Sequence, residues 1–237
     1  MSIPLVIAHR GDSSHELENS LAAFHRALSY PVDMIELDIR MSRDKVLYVM
    51  HDKLTGRTAD TNIDIERSTS ARISKVRLKN NEPVPTLTDV IKAVSGAAGL
   101  NLEIKSAGAG LETARYLASS DYKAYVLISS FKEEEVLTIR HELPNVPVSL
   151  IFDFFKVRDV PKYRARGYKI VSLRKKTVTD ELVAACHEQG LEVYVWTVDE
   201  GDEMRKFIAM GVDGIYSNRP GILKSIINAE CGVRNAE

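Results

Sequence analysis

The chain has 237 residues, of which 44% are hydrophobic and 27% charged, a balance typical of an ordinary folded protein and not of a disordered or fibrous one. Its 32 Lys and Arg residues against 33 Asp and Glu give no basic excess, so we expect no nucleic-acid partner and a local site for any anionic substrate. Two cysteines, Cys186 and Cys231, are too few for a disulfide framework and favour a reducing compartment.

The N-terminal run of residues 3–8 is apolar, but it has no basic leader and continues directly into His9-Arg10-Gly11 instead of a cleavage site. We therefore interpret it as the first strand and not as a signal peptide. No run approaches the ~20 apolar residues that cross a bilayer. The sequence thus predicts no membrane span and a cytoplasmic location.

Short apolar segments alternate with amphipathic ones along almost the whole chain, a pattern typical of a parallel sheet covered by helices. The predicted strands are 5–9, 34–40, 100–105, 125–130, 148–152, 170–173, 193–198 and 214–217. The predicted helices include 20–29, 87–94, 111–119, 133–142, 180–188, 203–210 and 222–227. This alternation favours an α/β fold consisting of a single (β/α)8 TIM barrel, and we expect residues 1–237 to form one domain.

Two segments after the second strand depart from the regular alternation. We expect residues 45–51 to extend that strand after a turn at Arg43-Asp44. Residues 52–85 are a long polar stretch with weak helical periodicity, and loops of this length are usually functional or partly disordered. Because the stretch is too polar to fold alone, we expect an insertion that forms a lid or wall of the pocket.

Carboxylates recur at alternate positions of the second and third predicted strands. Because side chains alternate along a strand, Glu36 and Asp38 share one face, as do Asn101, Glu103 and Lys105. We expect the three carboxylates to converge inside the barrel, where like charges are costly to bury without a cation. Oxygen ligands suit Mg²⁺ or Ca²⁺ better than Zn²⁺. The spacing alone equally allows acids that are paired with Arg or Lys.

Two of the six histidines lie at the predicted carboxyl ends of strands, where barrel enzymes build their active sites. His9 is followed by Arg10, and His51 by Asp52. Histidine can act as an acid or a base near neutral pH, and the arginine fork matches phosphate oxygens. The remaining histidines lack this placement and are interpreted as surface or packing residues: His15, His25, His141 and His187.

Two aromatic residues alternate with valines near the end of the seventh strand. We expect Tyr194 and Trp196 to face the barrel interior near its mouth, where they would line a substrate pocket. Core packing accounts equally well for Tyr194.

Seven short motifs follow one another along the chain: His9-Arg10-Gly11, Glu18-Asn19-Ser20, Glu36-Leu37-Asp38, His51-Asp52, Pro85-Thr86-Leu87, Leu102-Glu103-Ile104-Lys105 and Gly211-Val212-Asp213-Gly214-Ile215. In this order and spacing, they resemble the motifs of the glycerophosphodiester phosphodiesterase family, and the resemblance covers nearly the whole chain.

The resemblance implies a barrel enzyme that hydrolyses glycerophosphodiesters to sn-glycerol 3-phosphate and an alcohol with Mg²⁺ or Ca²⁺. The attacking oxygen would be a metal-activated water or the substrate's own glycerol 2-hydroxyl, and we favour the hydroxyl because a tethered nucleophile gains from proximity. The implied roles are metal ligation by Glu36, Asp38 and Glu103; acid/base catalysis by His9 and His51; phosphate binding by Arg10 and Lys105; support of the site by Asn19; and a glycerol-pocket wall from Trp196.

Two departures from the family pattern leave the alcohol group open. Leu17 stands where the family often has proline, and the insertion is shorter and less regular. One alternative is a phospholipase D or C that acts on lysophospholipid or phosphoinositide; another is an inactive barrel that binds a phosphodiester or a partner protein. The expected partner is a small-molecule substrate. The sequence does not decide whether the protein forms a homo-oligomer.

Overall fold

A computed structural model describes residues 3–232 of the protein. Its strands are β1 (Leu5–His9), β2 (Met34–Met41), β3 (Leu47–Val49), β4 (Gly99–Ile104), β5 (Val126–Ser130), β6 (Val148–Phe152), β7 (Ile170–Arg174), β8 (Glu192–Trp196) and β9 (Gly214–Ser217). All except β3 run parallel in the order β1, β2, β4 to β9, and β9 pairs again with β1. The predicted closed eight-stranded barrel is confirmed.

Helices connect the strands and cover the outside of the barrel. They are α1 (Leu21–Leu28), α2 (Ser70–Ile73), α3 (Leu87–Val94), α4 (Ala109–Ser119), α5 (Glu133–Glu142), α6 (Val160–Ala165), α7 (Asp180–Glu188), α8 (Gly201–Met210) and α9 (Pro220–Cys231). Over residues 3–232, no helix has the length and apolarity needed to cross a membrane.

Local capping explains where several predicted helices begin. The Ser20 hydroxyl accepts from the Ala23 amide at the start of α1, and Thr86 forms a capping box with Asp89 at the start of α3. The sequence analysis missed α6, a six-residue helix with Pro161 in its first turn. Proline is tolerated there because the first helical N–H groups have no intrahelical partner.

The two faces of each barrel strand separate as the alternation predicts. Aliphatic side chains such as Ile35, Leu37 and Ile39 are fully buried in the cluster between the strands and the helices. A second cluster fills the interior below the mouth and contains Ile7, Met34, Leu127, Ile170, Tyr194 and Tyr216. The polar side chains that face the barrel interior therefore lie above this cluster, which we call the apolar plug.

The expectation that residues 45–51 extend the second strand is wrong in direction. Leu47–Val49 does form a strand, but β3 runs antiparallel to β2, with Ile39 opposite Val49. Lys45 adopts the left-handed conformation with φ 66°, and the Ser42 amide donates to the Val46 carbonyl. This tight turn reverses the chain and returns it toward the barrel mouth.

The inserted segment, residues 52–85, has more internal apolar packing than its composition suggests. Together with two residues at and just after β3, it forms a separate buried cluster of Tyr48, Met50, Ala59, Ile63, Ile65, Ile73, Val76, Leu78 and Val84. Isolated bridges such as Ala59 with Leu78 join its irregular strands. These apolar residues follow neither the helical nor the strand period, so their packing into a cluster was not predicted from the sequence.

Candidate active site

A cavity of about 160 Å³ opens at the carboxyl ends of the parallel strands. It is lined by His9, Arg10, Glu36, His51, Asn101, Glu103, Lys105, Ser129, Phe131, Ile151, Ser172, Trp196, Thr197 and Tyr216. Within the described part of the chain, the lining includes no residue of 52–85. The expectation that the inserted segment forms a wall of this cavity therefore does not hold.

Strand register brings three carboxylates together at the base of the cavity. In the β2–β4 pairing Asp38 lies opposite Glu103, and in the β1–β2 pairing His9 lies opposite Glu36. Glu36, Asp38 and Glu103 are buried, and one oxygen of each lies within 4.8 Å of the others. Glu36 Oε1 and Asp38 Oδ1 are buried and accept no hydrogen bond, although Asp38 Oδ1 is in ion-pair contact with Lys105. Buried carboxylate oxygens without hydrogen bonds fit a hard divalent cation.

Two cations contact the carboxylates from the sides. Lys105 Nζ lies 2.6 Å from Glu103 Oε1 and 3.3 Å from Asp38 Oδ1. Arg10 Nε lies 3.1 Å from Asp38 Oδ2. The alternative of acids paired with Lys and Arg thus describes part of the arrangement, but two positive charges leave one of three buried carboxylates uncompensated.

The pKa values of the three acids shift in different directions. Burial and the neighbouring Asp38 and Glu103 raise the pKa of Glu36 well above its usual value. Burial and Asp38 raise the pKa of Glu103 to about 7. Although burial opposes it, the charges of Arg10 and Lys105 lower the pKa of Asp38 to about 2. The centre therefore holds more negative charge than its environment tolerates without a further cation or proton.

His9 projects from the end of β1 beside this acidic centre. Its Nε2 lies 4.0 Å from Glu36 Oε2, and its Nδ1 lies 2.8 Å from Asn218 Oδ1. Burial and the positive charge of Arg10 lower the pKa of His9 to about 4. The ring is therefore neutral near physiological pH and faces the cavity through Nε2.

His51 reaches the same cavity from the segment that follows β3. Its Nδ1 lies 2.7 Å from Asp52 Oδ1, and its carbonyl accepts two hydrogen bonds from the Arg40 guanidinium, at 2.8 and 2.6 Å. Burial lowers its pKa from the usual value. The structure thus brings both predicted histidines to one cavity with Glu36 and Glu103, next to the fully buried Asp38.

The turn after β1 positions Arg10 over the acids. Arg10 and Gly11 both have positive φ, 58° and 85°, and a Cβ at Gly11 would come within 2.6 Å of the Ala23 backbone. This turn lets the Arg10 amide donate to Glu36 Oε2 at 2.9 Å. The Arg10 guanidinium also contacts Glu18 Oε1 at 3.0 Å.

Residues 9–222 match the model of the glycerophosphoryl diester phosphodiesterase family. The chain belongs to this family. It is accordingly an enzyme, a phosphodiesterase, and the family resemblance inferred from its motifs is confirmed.

Relatives match over almost their full length. A glycerophosphodiester phosphodiesterase of Caldanaerobacter subterraneus is 32% identical, and the match covers 94% of this chain and 97% of the relative. A lysophospholipase D of Rattus norvegicus is 23% identical, with 94% and 85% covered. In fold, the chain is similar to a phosphodiesterase of Oleispira antarctica in complex with the product sn-glycerol-3-phosphate, with TM-score 0.88, 23% identity, and 95% and 97% covered.

The remaining residues that the sequence predicted for the site lie at different depths relative to the cavity. Asn19 is buried behind the centre, where its Nδ2 donates to Asp38 Oδ2 at 2.8 Å. Trp196 lines the cavity and meets Phe131 edge to face at 5.6 Å between ring centroids. Tyr194 is 1% exposed and belongs to the apolar plug below. Core packing is therefore the correct account of Tyr194.

The residues behind the two histidines had no predicted role. Asp199 follows β8 and Asn218 follows β9, and both lie behind His9. The position of Asn218 at a strand end is visible in the sequence but is weak evidence alone, and Asp199 shares this signal. Arg57 and Glu66 of the inserted segment lie behind His51 through Asp52 and Arg40. No periodicity or motif in the segment marks either of them.

Proposed function

We propose that this family member hydrolyses glycerophosphodiesters to sn-glycerol 3-phosphate and an alcohol, with a divalent cation and two acid/base histidines. The observation that carries the proposal is the convergence of three buried carboxylates beside a cavity that His9 and His51 also line, with Glu36 Oε1 accepting no hydrogen bond. The structurally similar phosphodiesterase of Oleispira antarctica, which is in complex with sn-glycerol-3-phosphate, supports sn-glycerol 3-phosphate as the product.

Glu36, Asp38 and Glu103 would hold the cation, for which an all-oxygen set favours Mg²⁺ or Ca²⁺. When bound, such an ion supplies Lewis-acid stabilisation of the negative charge that develops on the phosphate. It would also compensate the carboxylate charge that Arg10 and Lys105 leave unbalanced.

The histidines would move the protons. One takes a proton from the attacking oxygen and the other donates one to the departing alcohol, so the two must act in complementary protonation states. Each ring has Nδ1 engaged, by Asn218 for His9 and by Asp52 for His51, which leaves Nε2 for the reaction. As the attacking oxygen we propose the substrate's glycerol 2-hydroxyl, whose tethering supplies proximity. Its attack on phosphorus expels the alcohol and leaves a cyclic glycerol phosphate; water then opens the ring by breaking the bond between phosphorus and the 2-oxygen, with the histidine roles exchanged, and gives sn-glycerol 3-phosphate.

Substrate orientation would come from charged and aromatic side chains of the cavity lining. Arg10 and Lys105 border the acidic centre and would bind the phosphate oxygens. Trp196 and Phe131 form an apolar surface, against which the glycerol carbons would pack, and Lys105 Nζ lies over the Phe131 ring at 5.8 Å from its centroid. Asn19 would act indirectly, by orienting Asp38.

A lysophospholipid is the second candidate substrate, because large apolar side chains are exposed at the mouth. Phe131 is 46% exposed after β5, and Phe154 is 79% exposed after β6. Leu54, at 51% exposure, adds an apolar residue in the inserted segment. One relative is named a lysophospholipase D.

The test is a turnover assay with purified protein and five substrates: the glycerophosphodiesters of choline, ethanolamine, glycerol and inositol, and lysophosphatidylcholine. We expect ³¹P NMR to detect sn-glycerol 3-phosphate from at least one glycerophosphodiester, loss of turnover in chelator, and recovery with Mg²⁺ or Ca²⁺. Full turnover in chelator, with retained metal excluded by elemental analysis, contradicts metal dependence. Absence of turnover on all five substrates favours an inactive barrel, and release of lysophosphatidic acid alone favours the lysophospholipid.

We further propose that residues 1–237 form one domain. The support is that Tyr48 and Met50, at and just after β3, share their buried cluster with the inserted segment. The cytoplasmic location and the possible homo-oligomer stay predictions.

A further inference from the structure

A chain of polar contacts runs from His9 away from the cavity. His9 Nδ1 lies 2.8 Å from Asn218 Oδ1, and Asn218 Nδ2 donates to Asp199 Oδ2 at 2.7 Å. The backbone amide of Asn218 donates to the other oxygen of Asp199 at 2.8 Å. Asp199 follows β8 and Asn218 follows β9, so the ends of two neighbouring strands meet behind the ring.

These contacts determine which atom of the Asn218 amide faces His9. The Asp199 carboxylate can only accept, so the amide atom beside it must be the NH₂ group. The Asn218 carbonyl oxygen then points the other way, where it accepts from the Ser13 hydroxyl at 2.8 Å and meets the His9 ring. An oxygen acceptor beside Nδ1 requires the hydrogen of the neutral ring to be on Nδ1.

We propose that Asn218 and Asp199 are positioning residues that hold His9 as its Nδ1–H tautomer, with bare Nε2 directed at the reacting atoms. Nε2 is the atom on the side of the acidic centre, 4.0 Å from Glu36 Oε2. In the opposite tautomer Nε2 would carry a hydrogen and would be unable to accept a proton from substrate. The catalytic consequence rests on the proposed function, whereas the tautomer does not.

A spectroscopic test reads the tautomer without turnover. The metal-free chain is labelled with [¹⁵N]histidine and measured near pH 7.5, at about one unit above the ordinary histidine pKa; His9→Gln assigns the His9 signals. We expect a protonated Nδ1 and a bare Nε2 for His9. His187 provides an internal reference of the opposite kind, since its Nε2 lies 2.8 Å from Asp213 Oδ2.

Variants then test whether the two residues cause this preference. Asn218→Leu removes the acceptor, and we expect His9 to show a mixture of tautomers with ring signals averaged by exchange. Asp199→Asn leaves Asn218 in place but removes what orients its amide, and we expect a smaller shift in the same direction. It also serves as the second variant if Asn218→Leu does not fold. Asn145→Leu, at an exposed loop position, is the matched control and should leave the spectrum unchanged.

The same variants are assayed on the best glycerophosphodiester. We expect Asn218→Leu to lower kcat about 10–100-fold, the usual range for a group that orients another, with little change in KM. An Nε2–H tautomer in the wild type, or an unchanged Nδ1–H tautomer in both variants, overturns the positioning role even if the enzyme is active. A correct tautomer in a chain without turnover overturns the proposed function and leaves the positioning of the ring in place.

Discussion

The acidic centre and the inserted segment serve the same cavity by different means. Glu36, Asp38 and Glu103 lie on two paired strands, and their convergence follows from alternation and register alone. The inserted segment contributes no lining residue within the described part of the chain, yet its charged side chains reach His51 by two routes. The three carboxylates thus come from strands, whereas His51 follows a strand and is oriented by contacts with the inserted segment.

The first route to His51 passes through its ring. Arg57 Nε lies 2.5 Å from Asp52 Oδ2, and Asp52 Oδ1 lies 2.7 Å from His51 Nδ1. Arg57 also contacts Glu18, at 2.7 Å, and Glu18 contacts Arg10. One arginine of the inserted segment therefore connects the turn after β1 with the chain after β3.

The second route passes through the backbone. Arg40, on β2, donates two hydrogen bonds to the His51 carbonyl and pairs with Glu66 at 2.7 Å. Glu66 also accepts from the Ser106 hydroxyl, at 2.7 Å. In this structure the inserted segment accordingly contacts the groups behind His51, and its role as a lid stays a prediction.

Substitution in the acidic centre should produce the largest loss. We expect Asp38→Asn to weaken Mg²⁺ or Ca²⁺ binding at least about 100-fold and turnover by about three orders of magnitude, because the fully buried carboxylate that we propose as a ligand loses its charge while keeping its shape. Calorimetric titration with each metal and a turnover assay measure the two effects.

Asp202→Asn, at a fully exposed aspartate of α8, is the matched control and should match the wild type in both measurements. Wild-type turnover by Asp38→Asn would mean that the acids are only an ion-pair network with Lys105 and Arg10.

The sequence predicted the centre because its signals are periodic. Glu36 and Asp38 alternate with aliphatic residues, and parallel pairing of consecutive barrel strands places Glu103 beside them. It did not predict Arg57 behind His51, because the contact of Arg57 with Asp52 depends on the path of an irregular segment. The direction of β3 was missed for a related reason: one left-handed residue, Lys45, decides it.

Substitution in the inserted segment should produce an intermediate loss. We expect Arg57→Gln to lower kcat about 10-fold. His51 keeps its contact with Asp52, but Asp52 loses the guanidinium that fixes its carboxylate. The arginine is 48% exposed, so solvent screening limits the energy of its ion pairs. Steady-state kinetics measure the change.

Arg67→Gln is the control for Arg57→Gln, because Arg67 lies in the same segment, is 84% exposed and contacts only Asp64, at 3.7 Å, among the described ion pairs. A similar loss in both variants would indicate general weakening of the segment and would remove Arg57 from the support of His51.

The smallest effect is expected where the inserted segment is attached to the β2–β3 turn. Hydrogen bonds from the Ser70 and Ser42 hydroxyls lower the pKa of Asp44 from 3.8 to about 2. A lowered pKa in the folded state means that the ionised carboxylate stabilises the fold fully above its unfolded value and loses this contribution as pH falls through the folded value. Asp44→Asn should therefore be less stable than the wild type near neutral pH, and the difference should shrink below about pH 4 and vanish only below about pH 2.

Urea unfolding at a series of pH values measures the difference, with Asp121→Asn, at an exposed position after α4, as control. A difference that persists unchanged to pH 2 would assign the effect to side-chain geometry instead of charge. Turnover near neutral pH should stay close to wild type, because Asp44 does not line the cavity.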